Sequence, residues 1–318
     1  MLNVPIGIFA TLWAHRRLKE ISRAERHSSF DYFGLILFTT SLTSLLLVIS
    51  LVTMASIDTL GAAILSLISL ATFVLFVYVE PRKSEPLLDM GLFKIRLFSA
   101  GNVSQLFYSL GFGSLSLIII LYLELIRGFD ALTAGLLFLP LDVAFVSIGP
   151  ISGKLSDRYG TRGLATLGMG VGTLGYVGLT FLLTATTPLV QIELMLVVIG
   201  LGVGLFSSPN ISAVMGSVPA QRRGVASAVR ATVFNSGNVI SIGLVAYIIT
   251  TVIPYQVVSG IITGGYTTLT ASESMGFMMG IGRTFMIAVF ITMAGMFASS
   301  LRGPKTNKHG ARSELIGA

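Results

Sequence analysis

The 318-residue chain contains no cysteine. That excludes disulfides, thiolate metal sites and cysteine nucleophiles. Its three histidines, His15, His27 and His309, are scattered outside the apolar runs and form no metal-ligating set. No Gly-x-x-x-x-Gly-Lys-Ser/Thr stretch occurs, so no phosphate-cradling loop of an ATPase is present, and no Gly-x-Ser-x-Gly nucleophile turn occurs either. Nothing in this inventory points to an enzyme. Charge is scarce: 11% of the residues are Asp, Glu, Lys or Arg, against roughly 25% in a soluble domain.

What is present is apolar length. The chain is 53% hydrophobic, with a mean hydropathy of +0.86. A helix needs about 20 apolar residues to cross roughly 30 Å of hydrocarbon. Nine runs are predicted as spans: 2–14, 31–54, 59–79, 98–123, 132–152, 163–185, 189–213, 225–251 and 275–300. Strands crossing a membrane would be about 10 residues long and alternating, so the expected fold is an all-α polytopic membrane bundle.

The basic residues are distributed unevenly between the connecting loops. All but Arg127, Arg230 and Arg283 fall into one alternate set of loops, from Arg16 and Arg17 through Arg82, Lys83, Lys154, Arg158, Arg162, Arg222 and Arg223 to the tail with Arg302, Lys305, Lys308 and Arg312. Basic loops stay cytoplasmic, which predicts a multi-pass protein of the cell membrane with its C-terminus inside and its N-terminus outside. The net charge of +7 is thereby explained by topology, and nucleic acid is not an expected partner. The lipid bilayer is.

Three parts are expected: 1–86, one short span and a pair of spans; 87–302, six spans; and 303–318, a polar cytoplasmic tail. The segment 86–98 reads as a short amphipathic helix at the interface. Gly168/Gly172 and Gly200/Gly204 are small-xxx-small pairs suited to close helix approach.

Within the spans, charge is costly, about 3 kcal/mol at the bilayer centre, and marks candidate sites. Asp142 lies mid-span, two residues after Pro140. It is either a proton-coupling carboxylate, a structural acid paired with Arg230 or a hydroxyl, or a tolerated polar residue. Arg230 lies about 8 Å into its span and Arg283 about 12 Å from the outer end of the last. Gating or snorkelling suits Arg230, and snorkelling suits Arg283. Gln105, Tyr108 and Phe112 share one helix face, and Asn235 and Asn238 form a second polar strip; both are candidates either to line a substrate cavity or to bond between helices. Glu124, Arg127 and Asp130 read mainly as solvated loop residues.

The most specific local pattern is Gly153-Lys-Leu-Ser-Asp-Arg-Tyr-Gly-Thr-Arg162. Gly153 and Gly160 permit a tight turn. Asp157 and Arg158 sit beside helix ends, and Arg162 can reach carbonyls or a carboxylate. Such a loop can hold helix pairs shut and release them. It resembles the signature loop between the second and third helices of a six-helix half in the major facilitator superfamily. Asn3-Val-Pro-Ile-Gly7, Leu88-Asp89 with Leu92-Phe93-Lys-Ile-Arg-Leu-Phe98, Leu121-Tyr-Leu-Glu124, Ala134-Gly-Leu-Leu-Phe-Leu-Pro140 and Pro219-Ala-Gln-Arg-Arg-Gly224 resemble, in order, segments of its fourteen-helix drug:proton antiporter branch. The resemblance covers nearly the whole chain and implies export of small hydrophobic or cationic compounds in exchange for protons, with no bound cofactor. It also implies that helices one to five of the branch are absent, so that the expected function is the C-terminal part of an exporter, the chain being a truncated product, a mis-called start or one part of a split transporter that works with a separate N-terminal half. The alternative is a truncated or degenerate membrane protein, or an assembly subunit, without transport of its own.

Overall fold

The computed structural model describes residues 3–17, 31–53, 58–83, 90–262 and 269–302. Every regular element among them is helical: α1 (Asn3–Arg17), α2 (Tyr32–Thr53), α3 (Thr59–Val79), α4 (Arg96–Phe112), α5 (Leu115–Leu125), α6 (Ala131–Tyr159), α7 (Thr161–Leu182), α8 (Leu189–Gly216), α9 (Arg223–Thr250), α10 (Tyr255–Ile262) and α11 (Ala271–Ser300), with short 3₁₀ turns at Glu80–Arg82, Met90–Lys94 and Ala220–Arg222. The chain is therefore all-α. Seven of these helical stretches among the described residues are long and apolar enough to cross a membrane: Thr59–Arg82, Arg96–Leu125, Ala131–Tyr159, Thr161–Leu182, Leu189–Gly216, Ala220–Thr250 and Ala271–Ser300.

The other two expected spans differ in length. The run at 2–14 forms α1, whose 15 residues reach about 22 Å at the helical rise. The run at 31–54 forms α2, in which the apolar stretch is the shorter Tyr32–Val48. The expected boundary at residue 86 and the tail 303–318 lie outside the described residues, as does most of the basic stretch after α1.

Helices α2 and α3 pair through two reciprocal bonds: Ser41 Oγ donates to Ser69 O at 3.0 Å and Ser69 Oγ to Ser41 O at 2.9 Å. Both hydroxyls thus satisfy carbonyls inside an apolar contact, where an unpaired polar group would be costly. Phe38 packs on Phe76 beside them. Asp31 accepts from Gly34 N at the start of α2 and pairs with Lys83 after α3, so the acid both caps its helix and joins the two ends. The pair touches α9, and an apolar groove of about 740 Å³ runs between them, walled by Phe38, Phe73 and Phe76 on one side and Val225, Val229 and Val233 on the other.

Helices α4–α11 make the main bundle. Helix α8 packs between α6 and α7, α7 continues onto α11, and α4 lies against α8, α9 and α11. Glycine sets these distances. A Cβ on Gly202 would stand 2.3 Å from the backbone nitrogen of Gly172, and one on Gly200 would stand 2.2 Å from Leu141 O. Helix α8 thus presses backbone to backbone on α7 with one glycine and on α6 with the other, the close approach that lipid-embedded helices rely on.

The largest buried apolar cluster gathers at the end opposite the Gly153–Arg162 loop, around Ile119, Tyr122, Leu196, Ile249, Phe277 and Phe285. Helix α10, which lies in a stretch expected to be an external loop, folds into it with Val257, Val258 and Ile261 buried. At the loop end, Leu92 and Phe98 are buried against Val214, Val218 and Ala226. The segment 90–98 is thereby anchored in the bundle by two side chains, rather than lying along its surface as one amphipathic helix.

Candidate functional site

The span expected at 98–123 falls within Arg96–Leu125, one stretch long enough to cross a membrane, but its helix is interrupted. Helix α4 stops at Phe112 and α5 starts at Leu115, with Gly113 and Ser114 between them. The interruption occurs where α9 crosses. A Cβ on Gly113 would meet Asn238 Oδ1 at 2.7 Å and Asn238 Cα at 2.9 Å. Ser241 Oγ donates to Leu110 O at 2.8 Å and meets Ser114 Oγ at 2.9 Å. The carbonyl exposed by the break is therefore satisfied by a hydroxyl from α9. Discontinuous helices near mid-span are a recurrent way of presenting backbone groups to a site.

About two turns earlier, Gln105 is 3% exposed. Its Oε1 accepts from Asn210 Nδ2 of α8 at 3.0 Å, and Asn210 Oδ1 accepts from Arg302 Nη2 at 2.5 Å. Arg302 follows the end of α11 yet has no solvent exposure. Its guanidinium stands 5.7 Å from the centroid of the Phe206 ring, and its Nε and Nη1 have no hydrogen-bond partner among the described residues. Burial pushes its pKa down to about 10. The sequence places Arg302 among the solvated basic residues of the tail. The structure instead turns it back under the bundle, where Arg96 Nε holds the adjacent Leu301 carbonyl at 2.9 Å. No sequence pattern signals this, because a basic residue just past a span is what topology already demands.

Tyr108 and Phe112 join an aromatic series through the bundle. Tyr108 stacks on Phe206 at 4.9 Å and lies 6.4 Å from Phe234. Phe112 stacks on Tyr176 at 5.3 Å, and Tyr176 continues to Phe285 at 5.7 Å. Tyr176 O–H donates to Gly111 O at 2.6 Å, and Thr173 Oγ1 donates to Thr292 Oγ1 at 2.9 Å. These bonds tie α7 to α4 and to α11. Gln105 therefore faces a helix–helix contact, while Tyr108 and Phe112 are half-buried ring partners.

The intramembrane charges stand apart. Asp142 is exposed on α6 and Arg230 is half-buried on α9. Neither makes an ion pair or hydrogen bond among the described residues, so the anticipated Asp142–Arg230 pair is not formed. Asn235 is exposed and Asn238 half-buried, its backbone against Gly113. Glu124 is half-buried. Arg127, expected to be mainly solvated, donates to Thr187 O at 2.5 Å and to Tyr122 Oη at 3.3 Å, and so fastens the α7–α8 turn to α5.

The signature loop is a single residue. Helix α6 ends at Tyr159, α7 begins at Thr161, and Gly160 between them has φ +92° and ψ 151°, a conformation that is essentially glycine-only. Ser156 Oγ donates to Gly153 O at 2.8 Å, and Ser152 Oγ donates to Leu205 O of α8 at 3.2 Å. Asp157, Arg158 and Arg162 are all exposed at this turn. Arg158 lies 5.4 Å from the Tyr159 ring. Arg162 makes no hydrogen bond or ion pair among the described residues. The turn therefore presents one acid and two arginines outward from a rigid hairpin.

Comparison with known proteins places these features in context. Residues 28–242 match the pattern of the Major Facilitator Superfamily. The riboflavin transporter RibZ of Clostridioides difficile is 32% identical over 237 residues, 74% of this chain and 50% of that protein. The multidrug efflux pump LfrA of Mycolicibacterium smegmatis is 29% identical over 252 residues, 79% of this chain and 49% of the relative. The multidrug transporter protein MdtP of Bacillus subtilis is 31% identical over 209 residues, 64% of this chain and 38% of the relative. The chain thus spans about half the length or less of these curated relatives.

Proposed function

The chain belongs to the major facilitator superfamily, and from that premise we propose that it forms the C-terminal part of a proton-coupled exporter of small hydrophobic or cationic compounds, of the fourteen-helix branch. The observation that carries the export reading is the named activity of relatives aligned along most of the chain, multidrug efflux and multidrug transport. In this reading the partner is a five-helix N-terminal segment facing α6 and α9. The opposite charges that these helices leave unpaired inside the bilayer, Asp142 and Arg230, support it. Each is costly in hydrocarbon alone and gains from a counter-charge or from proton uptake. Asp142 takes up and releases the coupling proton as its surroundings change between access states. The Gly153–Arg162 hairpin closes the cytoplasmic side. The interruption at Gly113–Ser114, with Tyr108 and Phe112 nearby and Asn235 and Asn238 on α9, supplies the substrate-facing wall.

A second reading of the substrate, a planar heteroaromatic compound, is favoured by the relative named for riboflavin and by the stacked series Tyr108–Phe206 and Phe112–Tyr176.

The test is expression of the chain in bacteria lacking their own drug exporters, alone and with a five-helix segment supplied in trans. Dye efflux driven by the proton gradient and riboflavin transport are both measured. Efflux is expected only from the partnered form, and Asp142→Asn should abolish its dependence on the gradient. Efflux from the chain alone contradicts the half-transporter reading, and undiminished coupled efflux with Asp142→Asn removes the proton role. Inactivity of a correctly inserted, partnered form favours the non-transporting alternative.

A further inference from the structure

Arg283 stands twelve residues into α11, within a span that begins at Ala271, which is about 18 Å along the helix. It is exposed. Its Nη1 donates to Thr251 Oγ1 at 3.1 Å. Thr251 Oγ1 in turn donates to Ile248 O at 2.7 Å, which fixes the hydroxyl at the end of α9. No carboxylate pairs with Arg283 among the described residues. A guanidinium carries five N–H donors, and the bond to Thr251 occupies one of them. Proximity to the α9 C-terminus gives the cation a favourable dipole without supplying a full counter-charge.

Beside this arginine lies a cavity of about 610 Å³ between α7, α9 and α11. Its walls are Phe181, Ile248, Met286 and Ile287, and Thr180 and Thr251 are the neutral polar residues among its lining. Phe181 is 74% exposed, so the groove opens sideways from the bundle. Among the described residues nothing covers the floor at Gly282, where an added Cβ would meet no atom within 4 Å. The combination is a cation with unused donors at one end of a slot whose walls are aliphatic and aromatic.

We propose that this groove binds an anionic phospholipid from the leaflet opposite the Gly153–Arg162 loop. The phosphate sits on the guanidinium of Arg283, and an acyl chain lies along Phe181, Ile248, Met286 and Ile287. Charge-assisted bonds from arginine to phosphate are strong and directional, and an anionic headgroup supplies the acceptors without the ammonium that offsets the phosphate charge in a zwitterionic lipid. Basic pockets between membrane helices select anionic headgroups for this reason. A free phosphate ion shares the headgroup chemistry but gains nothing from the apolar walls.

The test uses the full chain, purified and stripped of lipid in detergent. Retention of dioleoyl phosphatidylglycerol and dioleoyl phosphatidylcholine is measured by native mass spectrometry, and thermal unfolding is followed with each lipid and with inorganic phosphate. The unaltered protein should retain phosphatidylglycerol roughly fivefold better than phosphatidylcholine, the ratio that one cationic contact confers. Arg283→Gln should erase the preference and Arg283→Lys should keep part of it. Inorganic phosphate alone should leave the unfolding temperature unchanged. Equal retention of the two lipids by the unaltered protein overturns the proposal without recourse to any variant. A preference that survives Arg283→Gln overturns it equally, and stabilisation by phosphate matching that of the lipid would make this a site for a free anion, against the lipid assignment.

Discussion

Arg302 carries a guanidinium with no solvent exposure and two buried nitrogens unbonded among the described residues, held by Asn210. Leaving a buried neutral acceptor unpaired costs about 1–3 kcal/mol, and stripping a buried charge of its partner costs more. Arg302→Met leaves only the neutral Asn210 Oδ1 without its donor and is therefore expected to lower the thermal unfolding temperature in detergent only slightly. Asn210→Leu, which strips both Arg302 and Gln105 of their bonds, is expected to lower it sharply. A loss in Arg302→Met as large as that in Asn210→Leu would mean that the guanidinium holds the bundle together. At this scale the sequence is informative only where a residue contradicts its surroundings. Asp142 stands out because a carboxylate interrupts an apolar run. Arg302, after the end of a span, contradicts nothing, and its burial depends on Asn210 and Phe206 of α8, which no local pattern encodes.

At the scale of elements, the bundle is held by backbone contacts that only glycine permits. Gly202→Ala would drive a Cβ to 2.3 Å from the Gly172 backbone nitrogen, where neither helix has a flexible side chain to move aside. Overpacking of this kind costs roughly 1–3 kcal/mol. Gly135 lies inside α6 with nothing within 4 Å of its added Cβ, and Gly135→Ala is expected to be neutral or stabilising by up to about 1 kcal/mol. Unfolding of the two variants side by side tests whether close helix approach, rather than glycine content as such, supports the fold. The long apolar runs fix where most helices lie, because helix length and hydrocarbon thickness are matched. The interruption at Gly113–Ser114 escapes that logic. It is produced by Asn238 and Ser241 of a helix more than a hundred residues away. Helix α10 escapes it too, since eight residues fall below any span length and its burial comes from the apolar cluster it joins beside α9.

At the scale of the whole molecule, the account rests on a bundle whose basic turns share one end. Each short connection reverses the chain, so the turns at Gly160 and at Ala220–Arg222 gather Arg158, Arg162, Arg222 and Arg223 on one side. The α7–α8 turn, with Thr184 and Thr187 bonded to each other, lies on the other. The proposed exporter requires the basic end to face the cytoplasm, because the signature hairpin and the half-buried Arg230 are then both on the inner side. The absence of cysteine gives a blank background for the most direct measurement. Thr186→Cys and Gln221→Cys, both at exposed positions, are made one at a time in the otherwise cysteine-free chain and treated with a membrane-impermeant thiol reagent in intact cells and after permeabilisation. The cysteine at 186 should be labelled in intact cells and the cysteine at 221 only after permeabilisation. Labelling of the cysteine at 221 in intact cells, with 186 protected, would contradict this orientation.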